Sequence, residues 1–521
     1  MKKTAYFCME FGIDQPLKTY AGGLGYLAGS HFRAAHNLKM PLVGVCMLWS
    51  YGYYDQVRNK EGKMKVEYIR KFYDFLEDIN VKVHVKICNH DVYVKAYRLN
   101  SDVFGTCPIY FLTTDIPEND YLSKTISYKL YDGNHLAHIA QEVVLGVGGY
   151  KVLKECGEDI ELYHINEAHP LPLAFKMMEE HGKDYVKEHL VFTTHTPVPA
   201  GNEVHDIKLL KQMGFFCYVP IEEAEQIGGN PFNLTEAALK LSKKANAVSK
   251  LHCDTANKMW GYVKDKCEIT YITNAQDRNY WQDKKIKKYA EEYNYDKIKQ
   301  RKRELKEILF EEVANQTGKI FDPDKLTVVW ARRFTDYKRP TLPFYDENRL
   351  KKILNENDVQ FIWAGKPHPN DINAQVTFNW IISKSRKIKN IAVLTGYELK
   401  LSKMLKQGSD LWLNTPRVPN EASGTSGMTA SMNGSIHFST LDGWHVEWAE
   451  MFPEDSFTIG DGKVLQDHYE AISMYEQLEY ISKELYNTEE WWNKVCNCVN
   501  DVVKYFDAER MLKEYAEKMY I

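Results

Sequence analysis

Glu421-Ala422-Ser423-Gly424-Thr425-Ser426-Gly427-Met428-Thr429-Ala430-Ser431-Met432-Asn433-Gly434 is a small, polar, glycine-bearing segment. It follows an apolar run, Asp410-Leu411-Trp412-Leu413-Asn414. The run has the length of a buried strand and Met428 to Met432 is helical in character, so the whole predicts a strand, a loop and a helix. In an open parallel sheet such a loop lies at the carboxyl ends of the strands, where ligands bind. Free backbone N–H groups at the helix start favour an anion. An ordinary link between a helix and a strand looks the same, so the rest of the chain decides between the two.

Outward from this loop the same alternation recurs. Thr4 to Met9 predicts a strand, followed by Thr19-Tyr20-Ala21-Gly22-Gly23-Leu24-Gly25 and a helical run from Tyr26 to Leu38. The pair Gly22 and Gly23 allows backbone amides to approach an anion closely. A second strand is expected over Met40 to Leu48. From Asp55 to Thr114 apolar and polar residues alternate, as in Val81-Lys82-Val83-His84-Val85, which predicts an antiparallel excursion. A helix over His135 to Lys154 follows, then strands over Asp159 to Ile165 and Leu190 to Thr194. These strands run into Asn166-Glu167-Ala168-His169 and His195-Thr196-Pro197, polar residues at the position where such sheets keep function.

Past Ile272-Thr273-Asn274 a second alternation begins. A charged helix from Asp296 to Glu312 precedes strands over Leu326 to Trp330, Val359 to Ala364, Ile391 to Thr395 and Leu411 to Asn414. The first of these leads into Ala331-Arg332-Arg333-Phe334-Thr335-Asp336-Tyr337-Lys338-Arg339. A basic cluster at the end of a buried strand suits an anionic ligand better than a solvated face does. Two α/β domains facing across a cleft are expected, the first over 1–272 and the second over 273–480, with helices over 481–521.

Bulk properties narrow the function. At 521 residues the chain exceeds a single core. A net charge of −4 offers no basic footprint, which excludes nucleic acid as the expected partner. No apolar run reaches the ~20 residues needed to span a membrane. Glu10 and Asp14 interrupt the N-terminal segment before any signal-peptide core develops, so a cytoplasmic location is expected. The ten cysteines are scattered and read as reduced structural thiols, and no metal site is read from the sequence. The 34 tyrosines and 11 tryptophans would suit sugar rings, although such rings more often pack cores.

Several segments, in order, resemble a known family. They are Tyr6-Phe7-Cys8-Met9-Glu10-Phe11-Gly12 with the Gly22–Gly25 loop, Leu130-Tyr131-Asp132-Gly133-Asn134-His135, Asn166 to His169, Phe192 to Gly201, and Ser249-Lys250-Leu251-His252. Ile272 to Asn274, Ala331 to Arg339, Ala364-Gly365-Lys366-Pro367-His368-Pro369, Trp412 through Gly434 and Leu441-Asp442-Gly443 complete the set. The likeness is to the α-glucan (glycogen, maltodextrin, starch) phosphorylases, in their short bacterial and archaeal branch.

The resemblance implies an α/β fold of the GT-B glycosyltransferase type, two Rossmann-like domains with the C-terminal helices crossing back to the first. It implies retaining, reversible phosphorolysis of α-1,4-glucan ends to α-glucose 1-phosphate. Partners are then α-glucan or maltodextrin and phosphate or a sugar phosphate, with no nucleic acid or membrane, and the family's common homodimer stays open. Carried over by position, Arg333 and Lys338 match substrate-phosphate binders, and Gly22 and Gly23 the backbone cradle. Arg332 supplies the positive charge beside the cofactor phosphate. His169, Asn274, Glu421, Ser423 and Gly424 match the glucosyl ligands, His195 borders the acceptor side, and Thr425 falls beside the cofactor.

The departure is at Thr429. There the family carries the lysine that forms an imine with pyridoxal 5′-phosphate (PLP), and a hydroxyl cannot form a Schiff base. Covalent PLP is therefore not expected; PLP bound without a covalent link, or none, remains. Asn274-Ala275-Gln276, Asn134 and Gly12 also differ from the family's pattern. Three meanings follow: phosphorolysis with non-covalent PLP, a nucleotide sugar whose diphosphate takes the two phosphate positions, or glucan binding without catalysis.

Overall fold

The structure, a computed structural model, describes residues 1–463 and 466–521. Its contacts divide the chain into two compact units: Met1–Tyr54, Tyr68–Asn274 and Ala508–Ile521 form one, and Asp55–Glu67 with Ala275–Asp507 form the other. Where the sequence places 481–521 together as helices returning to the first domain, the contacts keep 481–507 in the second unit and assign only Ala508–Ile521 to the first.

The N-terminal unit is built on a nine-stranded sheet. Thr4–Phe7 lies at its centre, parallel to Leu42–Met47 on one side and to Leu162–Asn166 on the other. All four residues of Thr4–Phe7 are buried, as a strand covered on both faces requires. Beyond Leu162–Asn166 the sheet continues through Leu190–Thr193, Lys244–Ala247 and Ile269–Tyr271. The chain thus winds out from the centre, returns, and winds the other way, so that the segments following Phe7 and Asn166 share the switch point. The alternating segment forms the hairpin of Glu77–Ile87 and His90–Leu99, which joins the edge antiparallel to Ile109–Thr113.

The early part of that alternation behaves differently. Asp55–Arg58 and Met64–Glu67 pair as a small hairpin belonging to the second unit. Gln56 fixes it there: its side-chain amide donates to the Gly365 carbonyl at 3.0 Å and accepts from the Gly396 amide at 3.0 Å. The predicted helix over His135 to Lys154 is His135–Val143 and Gly149–Glu155, joined by a π-helical turn at Val144–Gly148. The terminal helix, Ala508–Lys518, is locked to the first sheet by tyrosines: Tyr520 meets His164 Nδ1 at 2.8 Å, and Tyr515 accepts from Asn246 at 3.1 Å.

The second unit carries a six-stranded, wholly parallel sheet. Its spatial order is Ile391–Leu394, Val359–Ala364, Leu326–Ala331, Leu411–Asn414, Ile436–Thr440, Ser456–Ile459. Leu326–Ala331 and Leu411–Asn414 are first and fourth in the chain but neighbours in the sheet, which again marks a doubly wound sheet with a central switch point. Every residue of the first four of these strands in chain order is buried. The long helix Tyr295–Thr317 contributes Leu309 and Val313 to a core with Val329, Ile362, Leu394, Leu405 and Trp412. Among the described residues no helix is long and apolar enough to cross a membrane.

One buried ion pair pins the two central strands at their amino ends. Lys306 Nζ donates to Asp410 Oδ2 at 2.7 Å, and each side chain is 2% exposed. The same oxygen accepts from the Thr327 amide at 2.8 Å and from Tyr486 at 3.2 Å. Removing one member of a buried pair leaves the other charge without compensation. Asp410→Ala is expected to lower the unfolding free energy by about 3–5 kcal/mol, measured by urea titration with tryptophan fluorescence.

Candidate functional site

Adjacency of Leu326–Ala331 and Leu411–Asn414 assembles the charged cluster of the second unit. Arg332 leaves the end of the first strand, and the loop from the second delivers Glu421. Arg332 Nη2 donates to Glu421 Oε2 at 2.6 Å, and Lys338 Nζ donates to the same oxygen at 2.9 Å. All three side chains are largely buried. Arg333 is exposed and adds its charge to the group.

Burial opposes ionisation of Glu421, but Arg332, Lys338 and Arg333 outweigh it and hold its carboxyl down to about 2. Lys338 is lowered too, which for an amine disfavours the charged form: burial and then the Arg332 charge bring it down to about 8, although Glu421 pulls upward. The partners respond unequally because Glu421 faces cations, whereas Lys338 faces two arginines as well as its carboxylate. Glu421 is therefore a fixed anion at neutral pH, and two positive charges exceed what it neutralises.

Backbone geometry holds these groups in place. Thr415 Oγ1 donates to the Lys338 carbonyl at 2.9 Å and accepts from Trp330 Nε1 at 3.1 Å. Gly424 has φ +80°, and a Cβ there would lie 3.3 Å from Glu421 Cγ and 3.5 Å from Arg332 Nη2. Gly365, at φ +140°, is stricter: a Cβ would fall 1.8 Å from the Arg332 carbonyl oxygen, so only glycine lets this chain pass. Arg339, the fourth basic residue of the sequence cluster, has a structural task. It donates to the carbonyls of Thr415 and Pro416, to Asp467 at 2.9 Å, and to Glu470.

Asp442 completes the arrangement. It accepts from the Glu421 and Gly443 amides, both at 2.9 Å. Burial, reinforced by the Glu421 charge, pushes its carboxyl up to about 8, so it carries a proton at neutral pH. Arg332 Nη1, Ser423 Oγ and Trp444 Nε1 are buried without a hydrogen-bond partner. An oxygen-rich ligand matches the chemistry of that set, since each can donate to an oxygen.

Thr429 lies one turn along the helix Ser426–Ser431, whose N-cap is Thr425. Its hydroxyl donates to the Ser426 carbonyl at 3.0 Å, and the side chain is buried. The neighbouring lysine amines are directed elsewhere: Lys406 sits 3.7 Å from the Trp281 ring centre and Lys403 5.0 Å from that of Tyr280. Lys302 Nζ donates to three carbonyls, of Gln407, Ser409 and Asn433. These residues do not fit an imine-bound PLP at position 429.

In the N-terminal unit, Gly22 caps and Gly23 opens the helix Gly23–Asn37. The amides of Ala21 and Gly22 donate to Glu10 Oε2 at 2.7 and 3.0 Å, so the glycine loop already holds a carboxylate. Glu10 Oε1 accepts from Tyr131, whose ring lies 6.0 Å from that of His169. His169 Nε2 is 3.5 Å from Glu203, and its Nδ1 is buried without a partner. His195 Nε2 meets Asn166 Oδ1 at 2.7 Å; burial and then His252 push it down to about 3, so it is neutral. Asn274 is buried, its Oδ1 unpartnered.

The structure thus groups Arg332, Lys338, Glu421 and Gly424 directly, with Arg333 beside them, and separately links Gly22 to His169 through Glu10 and Tyr131. Glu10, Tyr131 and Asp442 join these groups although the sequence offers them only as part of the family likeness. Asp442 was open to the same rule that found Arg332, since it follows the strand Ile436–Thr440 at its carboxyl end. Glu203 and His138 carry no such signal.

Two doubly wound sheets, one parallel apart from an antiparallel hairpin at its edge and one wholly parallel, are the make-up of a GT-B-type α/β protein. Residues 237–520 match the carbohydrate phosphorylase family. The chain is 67% identical to an uncharacterized protein of Methanocaldococcus jannaschii over the full length of both. It is 32% identical to the maltodextrin phosphorylase of Thermococcus litoralis, covering 99% of this chain and 70% of that one. With the glycogen phosphorylase of Aquifex aeolicus it shares 30% identity, covering 100% and 86%. This chain belongs to the carbohydrate phosphorylase family.

Glu421→Gln removes the charge that faces buried Arg332 and Lys338. Urea titration at low salt is expected to show a loss of about 3 kcal/mol, part of which added phosphate recovers by supplying an anion. The depressed Lys338 gives a pH signature. Sulfate, whose charge is constant over the range, should bind more weakly in calorimetry as pH rises through about 8, because Lys338 is protonated below that value and neutral above it.

Proposed function

We propose that this protein transfers glucosyl units at α-1,4-glucan ends with retention of configuration, exchanging them with phosphate through α-glucose 1-phosphate, and holds no covalent PLP. The observation that carries this reading is the convergence of Arg332 and Lys338 on one oxygen of Glu421 at the switch point of a phosphorylase-family sheet. Arg333 and Lys338 receive the phosphate, one as a planar fork and the other as a mobile point charge. Arg332, with a spare buried Nη1, adds charge where a second phosphate group would lie.

Glu421 stays ionised and orients sugar hydroxyls; it is not the nucleophile. Ser423 Oγ and the close approach at Gly424 serve the same sugar. By family position His169, with its free Nδ1, and Asn274, with its free Oδ1, are proposed sugar-hydroxyl ligands, and Gly22 and Gly23 proposed phosphate binders. His195, neutral, borders the acceptor glucan, while Thr425 and Thr429 line the position that a cofactor would take. A departing phosphate held by Arg333 and Lys338 assists same-face attack on an oxocarbenium-like centre, which gives retention without a glycosyl-enzyme. The protein works on glucan and phosphate without nucleic acid or membrane, and a cytoplasmic location and a homodimer belong to the same proposal.

A second reading draws on Thr429. Without an imine-forming amine, two neighbouring cationic positions suit the diphosphate of a nucleotide sugar equally well. Phosphate release from glucose 1-phosphate with a maltodextrin primer, with and without added PLP, separates the readings. Release supports phosphorolysis. Glucan elongation from UDP- or ADP-glucose alone supports the synthase-like alternative, and neither activity leaves a glucan-binding homologue. Thr429→Lys is expected to gain an imine absorbance band with PLP if the surrounding pocket still accepts the cofactor; a colourless variant means it has been remodelled.

A further inference from the structure

Beside the proposed glucosyl site, and sharing only His169 with it, the N-terminal unit gathers three histidines and two glutamates from separate parts of the chain. His138 and Glu142 lie one turn apart on the helix His135–Val143, on the same face. His169 follows the strand Leu162–Asn166, and Glu203 and His205 lie at the short strand Val204–His205. Glu203 is the hub: its Oε1 is 3.0 Å from His138 Nε2 and 3.5 Å from His169 Nε2, and its Oε2 is 3.2 Å from His205 Nε2. Glu142 Oε1 lies 3.8 Å from His138 Nε2. Ligand atoms of His138, His169 and Glu203, and of Glu142, Glu203 and His205, fall within 4.8 Å of one another in each group.

We propose that this cluster binds a divalent first-row transition metal ion, of the zinc class, through His138, Glu142, His169, Glu203 and His205. The three Glu203 contacts, of 3.0–3.5 Å, match an ion site, since donors held at about 2.1 Å from one ion stand roughly 3.0–3.5 Å from their neighbours in tetrahedral or octahedral geometry. Glu142, 3.8 Å from His138, would have to close in on binding. Imidazole with carboxylate is the donor set of such ions, and two carboxylates with three neutral imidazoles balance a charge of two.

Histidine–carboxylate hydrogen bonds alone would account for Glu203, but they leave Glu142 unexplained. Glu142 is fully buried and both its oxygens lack any hydrogen-bond partner. A buried carboxylate in that state either keeps a proton or meets a cation. The other ring nitrogen of His205, Nδ1, lies 3.5 Å from His135 Nε2, which can accept its proton when Nε2 binds an ion. Glu203 is the most exposed member, with its side chain 32% accessible, and provides the entry path.

Coordination through Nε2 of His169 would leave the proton on Nδ1, turning that buried, unpartnered nitrogen into a fixed donor. Only this consequence rests on the glucosyl-transfer reading; the ion site does not. The test uses the full chain, purified without a histidine tag, stripped with chelator and titrated with Zn2+ against a chromophoric competitor. One tightly held ion per chain is expected, with affinity falling about 100-fold in Glu203→Gln and in His205→Ala. Co2+ in place of zinc should give a d–d spectrum without a thiolate charge-transfer band, which separates this site from the cysteines. Glu142→Gln preserves volume and should weaken zinc similarly. The proposal fails if the wild-type chain binds zinc no better than these variants, or if the cobalt spectrum reports thiolate ligation.

Discussion

Two buried cations share one carboxylate oxygen, and that contact depends on which strands are neighbours. Arg332 and Lys338 follow the first strand of the second unit's sheet and Glu421 follows the fourth, nearly ninety residues later in sequence. They meet because the sheet reverses its winding between those strands, pinned below by Lys306 and Asp410. A Cβ at Gly365 would collide with the Arg332 carbonyl, so the backbone that launches the arginine admits one residue type at its nearest neighbour. Charge follows from this geometry. Glu421 is held anionic, Lys338 is brought near physiological pH, and Asp442 behind the Glu421 amide is kept protonated.

Much of the architecture was legible in the sequence because parallel strands buried on both faces are short, apolar and end in glycine or polar residues. Leu326 to Trp330, Val359 to Ala364 and Leu411 to Asn414 have that form and are strands. Ile436–Thr440 does not read as a buried strand because histidine, serine and threonine fill three of its five positions; His437 is accommodated by pairing with Asn414 and His445. The hairpin at Asp55–Glu67 was visible as alternation, but the unit it joins depends on Gln56, whose partners lie more than three hundred residues away. The basic cluster also divided in a way no spacing could foretell. Arg339 turns back in a left-handed conformation to tie loops together, while Arg332 and Lys338 reach Glu421.

The N-terminal unit follows the same rule with different chemistry. Its switch point gathers Glu10, the Gly22 loop, Tyr131 and His169, where a protein carboxylate already occupies two of the loop's amides. A histidine and glutamate cluster adjoins that chain of contacts. Thr429, in the second unit, spends its hydroxyl on its own helix, and the buried Lys406 packs against an indole. The family's fold is present, a cationic cluster closes on Glu421, and position 429 holds a hydroxyl. Under the proposed function, phosphorolysis would rest on Arg332, Arg333, Lys338 and Glu421 rather than on a covalently held group.

The most direct measurement of the central claim is a crystal structure of the protein with bound α-glucose 1-phosphate. The account predicts the phosphate on Lys338 and Arg333, with Arg332 Nη1 satisfied and the glucosyl hydroxyls against Glu421 and Ser423. A sugar phosphate bound elsewhere, or a cluster in which Arg332 and Lys338 remain closed on Glu421 without accepting it, would contradict the account.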